Sequence, residues 1–216
     1  MRLTLASTSP ARLALLRSSG IEPIIVPSSV DEDAAVAAAE AEYGGPLGPA
    51  RIVELLAKAK AEASLAVVRE RGDDVDLILG GDSVFVVGGI VHGKPHTPER
   101  ARERWLAQRG ATGTLYSGHW LIDCTGEEPR AVGSVASADV TFADDIDDDE
   151  IDAYIASGEP LAVAGAFTID SLGAAFITRI DGDPSTVVGM SLPTLRRLVR
   201  SFGHDWHALR NRAGAL

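Results

Sequence analysis

The chain has 216 residues, of which 45% are hydrophobic and 24% charged, and its formal net charge is −11. This length suits one large α/β domain or two smaller lobes, while the negative charge argues against binding nucleic acid or an anionic membrane surface. The single cysteine, Cys124, excludes an internal disulfide, and because the sequence shows neither a membrane span nor a secretory signal we expect a cytoplasmic protein.

Hydrophobic periodicity, caps and turn residues divide the chain into alternating strands and helices, which favours an α/β fold. In chain order the pattern predicts strand 2–6, helix 11–19, strand 21–26, helices 34–43 and 50–69, strand hairpin 77–95, helix 97–108, strands 113–124 and 130–142, a helix ending at 157, strand 174–180 and helix 194–201.

The start of the first predicted helix is a candidate anion site. Ser7 and Ser9 precede Pro10 as hydroxyl caps, and Arg12 lies in the first turn. The N-terminus of a helix presents unpaired N–H groups, to which these hydroxyls and the guanidinium can add donors for phosphate. A simple capped helix with an exposed arginine explains the same residues, so both interpretations stay open.

The helix predicted over 50–69 is long and amphipathic. Its expected buried side consists of Ile52, Val53, Leu55, Leu56, Ala59, Ala63, Ala66 and Val67. Two lysines, Lys58 and Lys60, lie on this helix, and their spacing alone does not indicate which of them is an ordinary solvated residue.

The hairpin segment is the most informative part of the sequence. Gly88-Gly89 between β-branched runs predicts a tight turn, and Asp82 and Lys94 are the only charged residues of the segment. A carboxylate in an apolar strand is costly unless a cation, a metal ion or hydrogen bonds meet it. An aspartate that prefers metal beside a lysine that prefers anions suits a magnesium polyphosphate, although a purely structural Asp–Lys pair is the alternative.

Other residue types that could carry chemistry have simpler explanations. The acidic run 144–150 precedes a helix and stabilises its dipole without a metal. The histidines lack paired ligand spacing, and Trp105 and Trp120 fit core or dimer packing. Phe167, in a glycine-rich segment close to Asp170, is the better candidate for flanking a nucleobase.

Five segments, in the same order, resemble the signatures of the Maf family of nucleoside triphosphate pyrophosphatases. The likeness covers about residues 2–200. The segments are Leu5-Ala6-Ser7-Thr8-Ser9-Pro10-Ala11-Arg12, Ala57-Lys58-Ala59-Lys60-Ala61, Gly81-Asp82-Ser83-Val84 with Gly93-Lys94-Pro95, Ala164-Gly165-Ala166-Phe167-Thr168-Ile169-Asp170, and Gly182-Asp183-Pro184-Ser185-Thr186-Val187-Val188-Gly189-Met190-Ser191-Leu192-Pro193.

The resemblance implies a fold, a domain organisation and an activity. The implied fold is α/β and inosine-triphosphatase-like, with a long mixed sheet flanked by helices and two lobes around a cleft, in a single bilobed domain over 1–203 with a tail over 204–216. The implied activity is hydrolysis of a nucleoside triphosphate, modified or pyrimidine, between its α and β phosphates, dependent on Mg²⁺ or Mn²⁺, by a homodimer. A role in arresting cell division is also associated with the family.

The resemblance also implies residue roles. Asp82 matches the acceptor of the water proton, and Glu32 matches an acidic position near the metal that Asp82 also approaches. The implied substrate contacts are Ser7, Ser9, Arg12, Lys60, Ser83, Lys94 and Asp170.

Two positions depart from the family pattern, so the preferred base stays open. Ala11 stands where the family usually has an arginine. Asp170 stands where the pyrimidine-preferring branch has Gln and a methylguanine-preferring branch has Glu, whereas Ser83 resembles the pyrimidine branch's Thr. Two other functions are compatible with the sequence: a non-catalytic nucleotide-binding regulator of septum formation, or a phosphatase that releases orthophosphate.

Overall fold

The computed structural model describes residues 1–212 of the chain. Within this range the strands are β1 Leu3–Leu5, β2 Ile24–Ile25, β3 Leu77–Val87, β4 Ile90–His92, β5 Thr112–Asp123, β6 Arg130–Phe142 and β7 Ile177–Asp181. The α-helices are α1 Pro10–Ser18, α2 Glu32–Tyr43, α3 Pro49–Arg71, α4 Pro98–Gln108, α5 Asp148–Ala156, α6 Pro184–Val188 and α7 Leu192–Ser201. Short 3₁₀ helices cover Glu159–Ala162, Ala164–Ala166, Leu172–Phe176 and Trp206–Leu209.

The strands form one mixed sheet in the order β2-β1-β3-β5-β6-β7, with β4 paired to β3. β1 runs parallel to β2 and to β3, whereas β4 is antiparallel to β3 and β7 is antiparallel to β6. The predicted α/β class with a long mixed sheet and flanking helices is therefore confirmed. No helix within residues 1–212 combines the length and the apolarity that a membrane crossing requires.

The backbone groups into two compact units. The first contains Met1–Asp82, Ser117–Ala136 and the described residues from Gly189 to 212, and the second contains Ser83–Tyr116 and Ser137–Val188. Strands β3, β5 and β6 supply residues to both units. The predicted single domain over 1–203 and the predicted cleft stay predictions.

In the first unit, β1, β3 and β5 pack aliphatic side chains against α1 and α7. The buried residues of this cluster include Leu5, Leu16, Leu79, Leu121 and Leu195. Helix α1 begins at Pro10, which suits the first position because its missing N–H is not needed there, and the hydroxyl of the preceding Ser9 caps the amide of Arg12. The core therefore holds α1 against the central strands.

In the second unit, aromatic rings form the centre of the core. Phe85, Trp105, Phe142 and Phe167 are buried and meet edge to face, with ring centroids 5.0–6.0 Å apart. This corrects the expectation that Phe167 flanks a nucleobase. Its ring is only 4% exposed, because it fills the core between Phe85 and Phe142.

The predicted elements differ from the observed ones at three places. Strand β2 has two residues instead of six, since Pro23 has no N–H to donate to the ladder. Strand β7 begins at Ile177, because the preceding residues form a 3₁₀ helix. The buried face of α3 also differs, since it consists of Val53, Leu56, Ala57, Ala61, Ser64 and Val68, and of the expected buried residues only Val53 and Leu56 are buried.

The described part of the predicted tail is folded onto the first unit. Leu209 is fully buried, and the Met1 ammonium donates to the carbonyl oxygen of Ala208 at 2.9 Å. The side-chain oxygen of Asn211 accepts a hydrogen bond from the amide of Glu22 at 2.7 Å. Residues 213–216, the end of the predicted tail, lie outside the described residues.

Candidate active site

The Asp82 carboxylate is the centre of the candidate site in the first unit. Only 8% of the residue is exposed, and its Oδ1 lies 2.6 Å from the ammonium nitrogen of Lys60. The paired cation is thus on α3, which answers the question that spacing left open between the two lysines. Lys58 instead lies 3.9 Å from Glu62 and over the ring of Trp120.

Close packing of α3 on the sheet is what places Lys60 beside Asp82. A Cβ at Gly80 would lie 2.0 Å from the carbonyl oxygen of Ala57, and one at Gly118 would lie 2.1 Å from that of Val53. Real Cβ atoms do not approach so closely, so only glycine permits this approach of helix and strands. The small residues buried on α3 follow from the same requirement.

A second carboxylate shares the Lys60 ammonium. Glu32 Oε1 lies 2.8 Å from Lys60 Nζ, and the Glu32 side chain is half exposed. Glu32 is the first residue of α2, which Asp31 caps by accepting from the amide of Ala34. Two carboxylate oxygens therefore converge on one cationic group at the edge of a buried site.

The Arg12 side chain packs against Gly81, the residue before Asp82. Its Nε donates to the carbonyl oxygen of Gly189 at 2.8 Å, and its Nη1 donates to Ser7 Oγ at 3.1 Å. A Cβ at Gly81 would lie 3.2 Å from Arg12 Nε, so the absence of a side chain there makes room for the guanidinium. The arginine is 8% exposed, which excludes the alternative of an exposed surface residue.

Ser7 and Ser9 order the turn that leads into α1. Ser7 Oγ accepts from the amide of Ser9 at 3.1 Å, and Ser9 Oγ accepts from the amide of Arg12 at 3.4 Å. Each hydroxyl thus uses its oxygen within the turn and keeps its own proton as a donor. The turn is therefore suited to an anion that approaches the N-terminus of α1.

Burial and neighbouring charges shift the pKa values of Asp82 and Arg12 in opposite directions. Burial raises the pKa of the Asp82 carboxyl, while the charges of Lys60 and Arg12 lower it. Burial likewise lowers the pKa of the Arg12 guanidinium, while Asp82 and Glu32 raise it. Burial has the larger effect on both groups, so the pKa of the Asp82 carboxyl lies above its ordinary value and that of the Arg12 guanidinium lies below.

The other predicted substrate contacts belong to the second unit. Lys94 and Asp170 are exposed, and Ser83 is partly buried on β3. Lys94 follows β4 in a loop rather than lying on that strand. The carbonyl oxygen of Gly93 fixes this loop by accepting from Arg104 Nη1 at 2.5 Å and from the amide of Gly165 at 3.3 Å.

His119 and the acidic run before α5, which the sequence raised as other possible metal ligands, have structural roles. His119 is buried, and its Nε2 accepts from the amide of Ser191 at 2.8 Å. In the acidic run, Asp147 and Glu150 form a capping box at the start of α5. Within residues 1–212, no group of three or more His, Cys, Asp or Glu side chains could hold a metal ion.

The periodicity did not indicate four residues that shape the site. Gly80, Gly81 and Gly118 act through close approach, and Gly189 acts through its carbonyl oxygen. The Gly80-Gly81 pair inside an apolar run is a sequence feature that could have indicated such an approach. Nothing in the local sequence marks Gly189 as the partner of an arginine 177 positions earlier.

Comparison with known proteins gives consistent similarities over the whole chain. The family model described as Maf-like protein matches residues 2–202. A protein of Leifsonia xyli subsp. xyli is 66% identical over 216 residues, which are 99% of each chain. A protein of Corynebacterium efficiens is 49% identical over 94% of this chain and 95% of its own, and one of Thermosynechococcus vestitus is 47% identical over 96% and 97%. All three relatives are named nucleoside triphosphate pyrophosphatase.

Proposed function

This chain belongs to the Maf-like protein family, and we infer that it is a nucleoside triphosphate pyrophosphatase. We propose that it hydrolyses the bond between the α and β phosphates, giving a nucleoside monophosphate and pyrophosphate. The single observation that carries the mechanism is the buried Asp82 carboxylate, paired with Lys60 and close to Arg12.

Asp82 is proposed as the group that takes the proton of the attacking water. Its Oδ1 accepts from Lys60, and within the described chain its Oδ2 has no hydrogen-bond donor, so Oδ2 is the oxygen that receives the proton. Burial raises the pKa of this carboxyl and makes it a stronger base, while the Lys60 charge partly offsets that rise. The water oxygen then forms a bond to phosphorus as that phosphorus loses its bond to the oxygen that bridges the α and β phosphates, which gives the monophosphate and pyrophosphate.

The start of α1 is proposed to hold phosphate oxygens. Its amides, the Ser7 and Ser9 hydroxyls and the fixed Arg12 guanidinium converge there, and they stabilise the charge that develops on the departing pyrophosphate. Lys60 and Lys94 are proposed as further phosphate cations, and Ser83 and Asp170 as contacts to the nucleoside. The exposed carboxylate of Asp170 can accept hydrogen bonds from the donor edge of a base.

The residues present fit a divalent cation. Glu32 Oε1 and Asp82 Oδ1 already converge on one cationic group, and two carboxylates with phosphate oxygens are the ligand set that Mg²⁺ prefers at nucleotide sites. When bound, Mg²⁺ or Mn²⁺ would neutralise the triphosphate and favour attack at phosphorus. The protein contributes the two carboxylates and the positioning of Lys60 that brings them together.

Three further predictions concern the setting of the enzyme. The single Cys124 and the net charge of −11 support a cytoplasmic protein that binds neither nucleic acid nor membrane. The family resemblance supports a homodimer, which light scattering on the purified protein tests directly.

The deciding experiment measures the phosphorus product from a panel of ribo- and deoxyribonucleoside triphosphates, with Mg²⁺, with Mn²⁺ and with a chelator. We expect pyrophosphate and nucleoside monophosphate only in the presence of the cation. Release of orthophosphate would instead identify a phosphatase, and binding without turnover would identify a non-catalytic regulator.

A further inference from the structure

We propose that Glu159 is a positioning residue for nucleotide recognition, because its carboxylate clamps the loop of residues 168–173 that presents Asp170. The inference rests on the proposed function, in which Asp170 contacts the nucleoside. It adds a residue outside that contact, in the 3₁₀ helix that follows α5.

The clamp is a carboxylate surrounded by donors. Glu159 Oε1 accepts from Tyr154 Oη at 2.9 Å, Thr168 Oγ1 at 2.5 Å and the amide of Gly173 at 3.1 Å, while Oε2 accepts from Ser171 Oγ at 2.6 Å and the amide of Leu172 at 3.3 Å. Four of the five donors belong to the loop, and they flank Asp170 on both sides. The loop thus closes around a single anionic residue.

The charge on Glu159 is what holds these donors together. Burial disfavours the ionised form, but hydrogen bonds from Ser171, Thr168 and Tyr154 outweigh it and lower the pKa of the carboxyl to about 2. Because this pKa is depressed, the clamp is complete at neutral pH and is lost only as the pH falls toward 2. Burial and the same carboxylate raise the pKa of the Tyr154 hydroxyl, which therefore remains a donor.

The loop is tightly folded, and Asp170 projects from it. A Cβ at Gly173 would lie 2.6 Å from Tyr154 Oη and 2.7 Å from the carbonyl oxygen of Thr168, so only glycine fits. Asp170 is exposed and, within residues 1–212, accepts no hydrogen bond and joins no salt bridge. A rigid loop with an unpartnered carboxylate at its tip is the preorganised arrangement that a recognition residue requires.

The loop is also anchored at its N-terminal side. Trp105 Nε1 donates to the carbonyl oxygen of Ala166 at 2.8 Å, and Gln108 Nε2 donates to that of Gly165 at 2.6 Å. These bonds fix the segment before Thr168 to α4, whereas Glu159 fixes the segment around Asp170. Loss of the Glu159 charge therefore releases the Asp170 loop while the aromatic core stays in place.

The test compares Glu159→Gln with the wild-type protein on uridine, cytidine, thymidine and guanosine triphosphates, measuring kcat and KM for each. The amide keeps the size of the side chain but turns one acceptor into a donor that faces other donors. We expect the ratio of kcat/KM between the best and worst base to fall about tenfold, with kcat on the best base changed less than about threefold. Glu150→Gln, a glutamate that only caps α5, is the matched control and should keep the wild-type ratio.

A double-mutant comparison separates positioning from general stability. If Glu159 acts through Asp170, then Glu159→Gln added to Asp170→Asn changes the base ratio no further than Asp170→Asn alone. Additive effects, or an unchanged ratio with a lower kcat, would overturn the proposal. Should Glu159→Gln fail to fold, Thr168→Val and Ser171→Ala each remove one donor and must lower the ratio in the same direction.

Equilibrium binding keeps this inference distinct from the proposed function. Dissociation constants for the α,β-methylene analogues of the same four nucleotides are measured alongside turnover. If the wild-type protein binds the analogues selectively but does not turn over the natural triphosphates, the enzymatic proposal is refuted. Loss of that binding selectivity in Glu159→Gln would still support the clamp. A wild-type protein that binds all four analogues equally would overturn it.

Discussion

Arg12 Nε donates a 2.8 Å hydrogen bond to the carbonyl oxygen of Gly189, and this bond ties the first helix of the chain to the segment that leads into the last one. The same guanidinium donates to Ser7 Oγ in the turn before α1. Arg12 therefore stabilises the fold through these two hydrogen bonds, in addition to its proposed role as a phosphate-binding cation. A guanidinium can satisfy both because its donors point in fixed, different directions.

We predict that Arg12→Lys destabilises the protein as well as weakening substrate binding. A single ammonium cannot make both hydrogen bonds in this geometry, so at least one of the two contacts of Arg12 is lost and the free energy of unfolding falls by about 1–3 kcal/mol. KM for the triphosphate should rise at the same time. Urea unfolding and steady-state kinetics measure the two effects. The control Arg17→Lys changes an arginine paired with Glu22 on the exposed side of α1 and should leave KM unchanged.

The Lys60–Asp82 pair predicts a shift of the pH profile. The Lys60 charge lowers the pKa of the buried carboxyl, so in Lys60→Met that pKa rises and the base becomes protonated at higher pH. The acidic limb of the kcat profile should therefore move to higher pH, along with a loss of kcat of about a hundredfold. Lys58→Met, on the same helix but paired with Glu62, should keep the wild-type profile. An unmoved acidic limb in Lys60→Met would show that Asp82 does not limit the rate there.

Local sequence patterns were sufficient to predict several parts of the fold. The Ser9 cap before Pro10, the Gly88-Gly89 turn and the acidic start of α5 are confirmed, because each depends on residues within one turn of the chain. The two turn glycines have φ values of 58° and 79°, as such a hairpin requires. Caps and turns can thus be predicted from the sequence, because the residues that form them are neighbours in the chain.

Long-range partners and packing could not be predicted in the same way. Lys60 meets Asp82 across 22 residues only because Gly80 lets α3 approach the strand. Phe167 was misassigned because an aromatic residue beside polar motifs fits a base platform and a core equally well until its neighbours are known. Glu159 was missed, since its five donors come from two separate segments, α5 and the loop of residues 168–173, and form no periodic pattern.

A buried carboxylate away from the candidate site gives a stability prediction. Asp123 is fully buried, and hydrogen bonds from Thr125 and Arg130 outweigh burial and lower its pKa to about 2. A depressed pKa stabilises the fold above the pKa of the unfolded chain, near 4, and this contribution disappears as the pH falls toward 2. Asp123→Asn should therefore reduce the free energy of unfolding by about 2 kcal/mol at neutral pH and by less at about pH 3.

Denaturant unfolding at both pH values checks this prediction. Asp181→Asn removes the exposed partner of Arg179 and serves as the control, for which a much smaller change is expected. An equal loss in Asp123→Asn at neutral and acidic pH would contradict the assignment of the stabilisation to the ionised carboxylate.

If the Asp82 carboxylate accepts the proton of the attacking water, turnover should depend on its charge, which Asp82→Asn removes. The amide keeps the volume of the side chain and removes its basicity, so the site should stay intact. Binding of an α,β-methylene analogue to the variant is the control for this. We predict that the rate of pyrophosphate release falls about a thousandfold in this variant. A rate within about tenfold of wild type, with the analogue still bound, would contradict the assignment of Asp82 as the base.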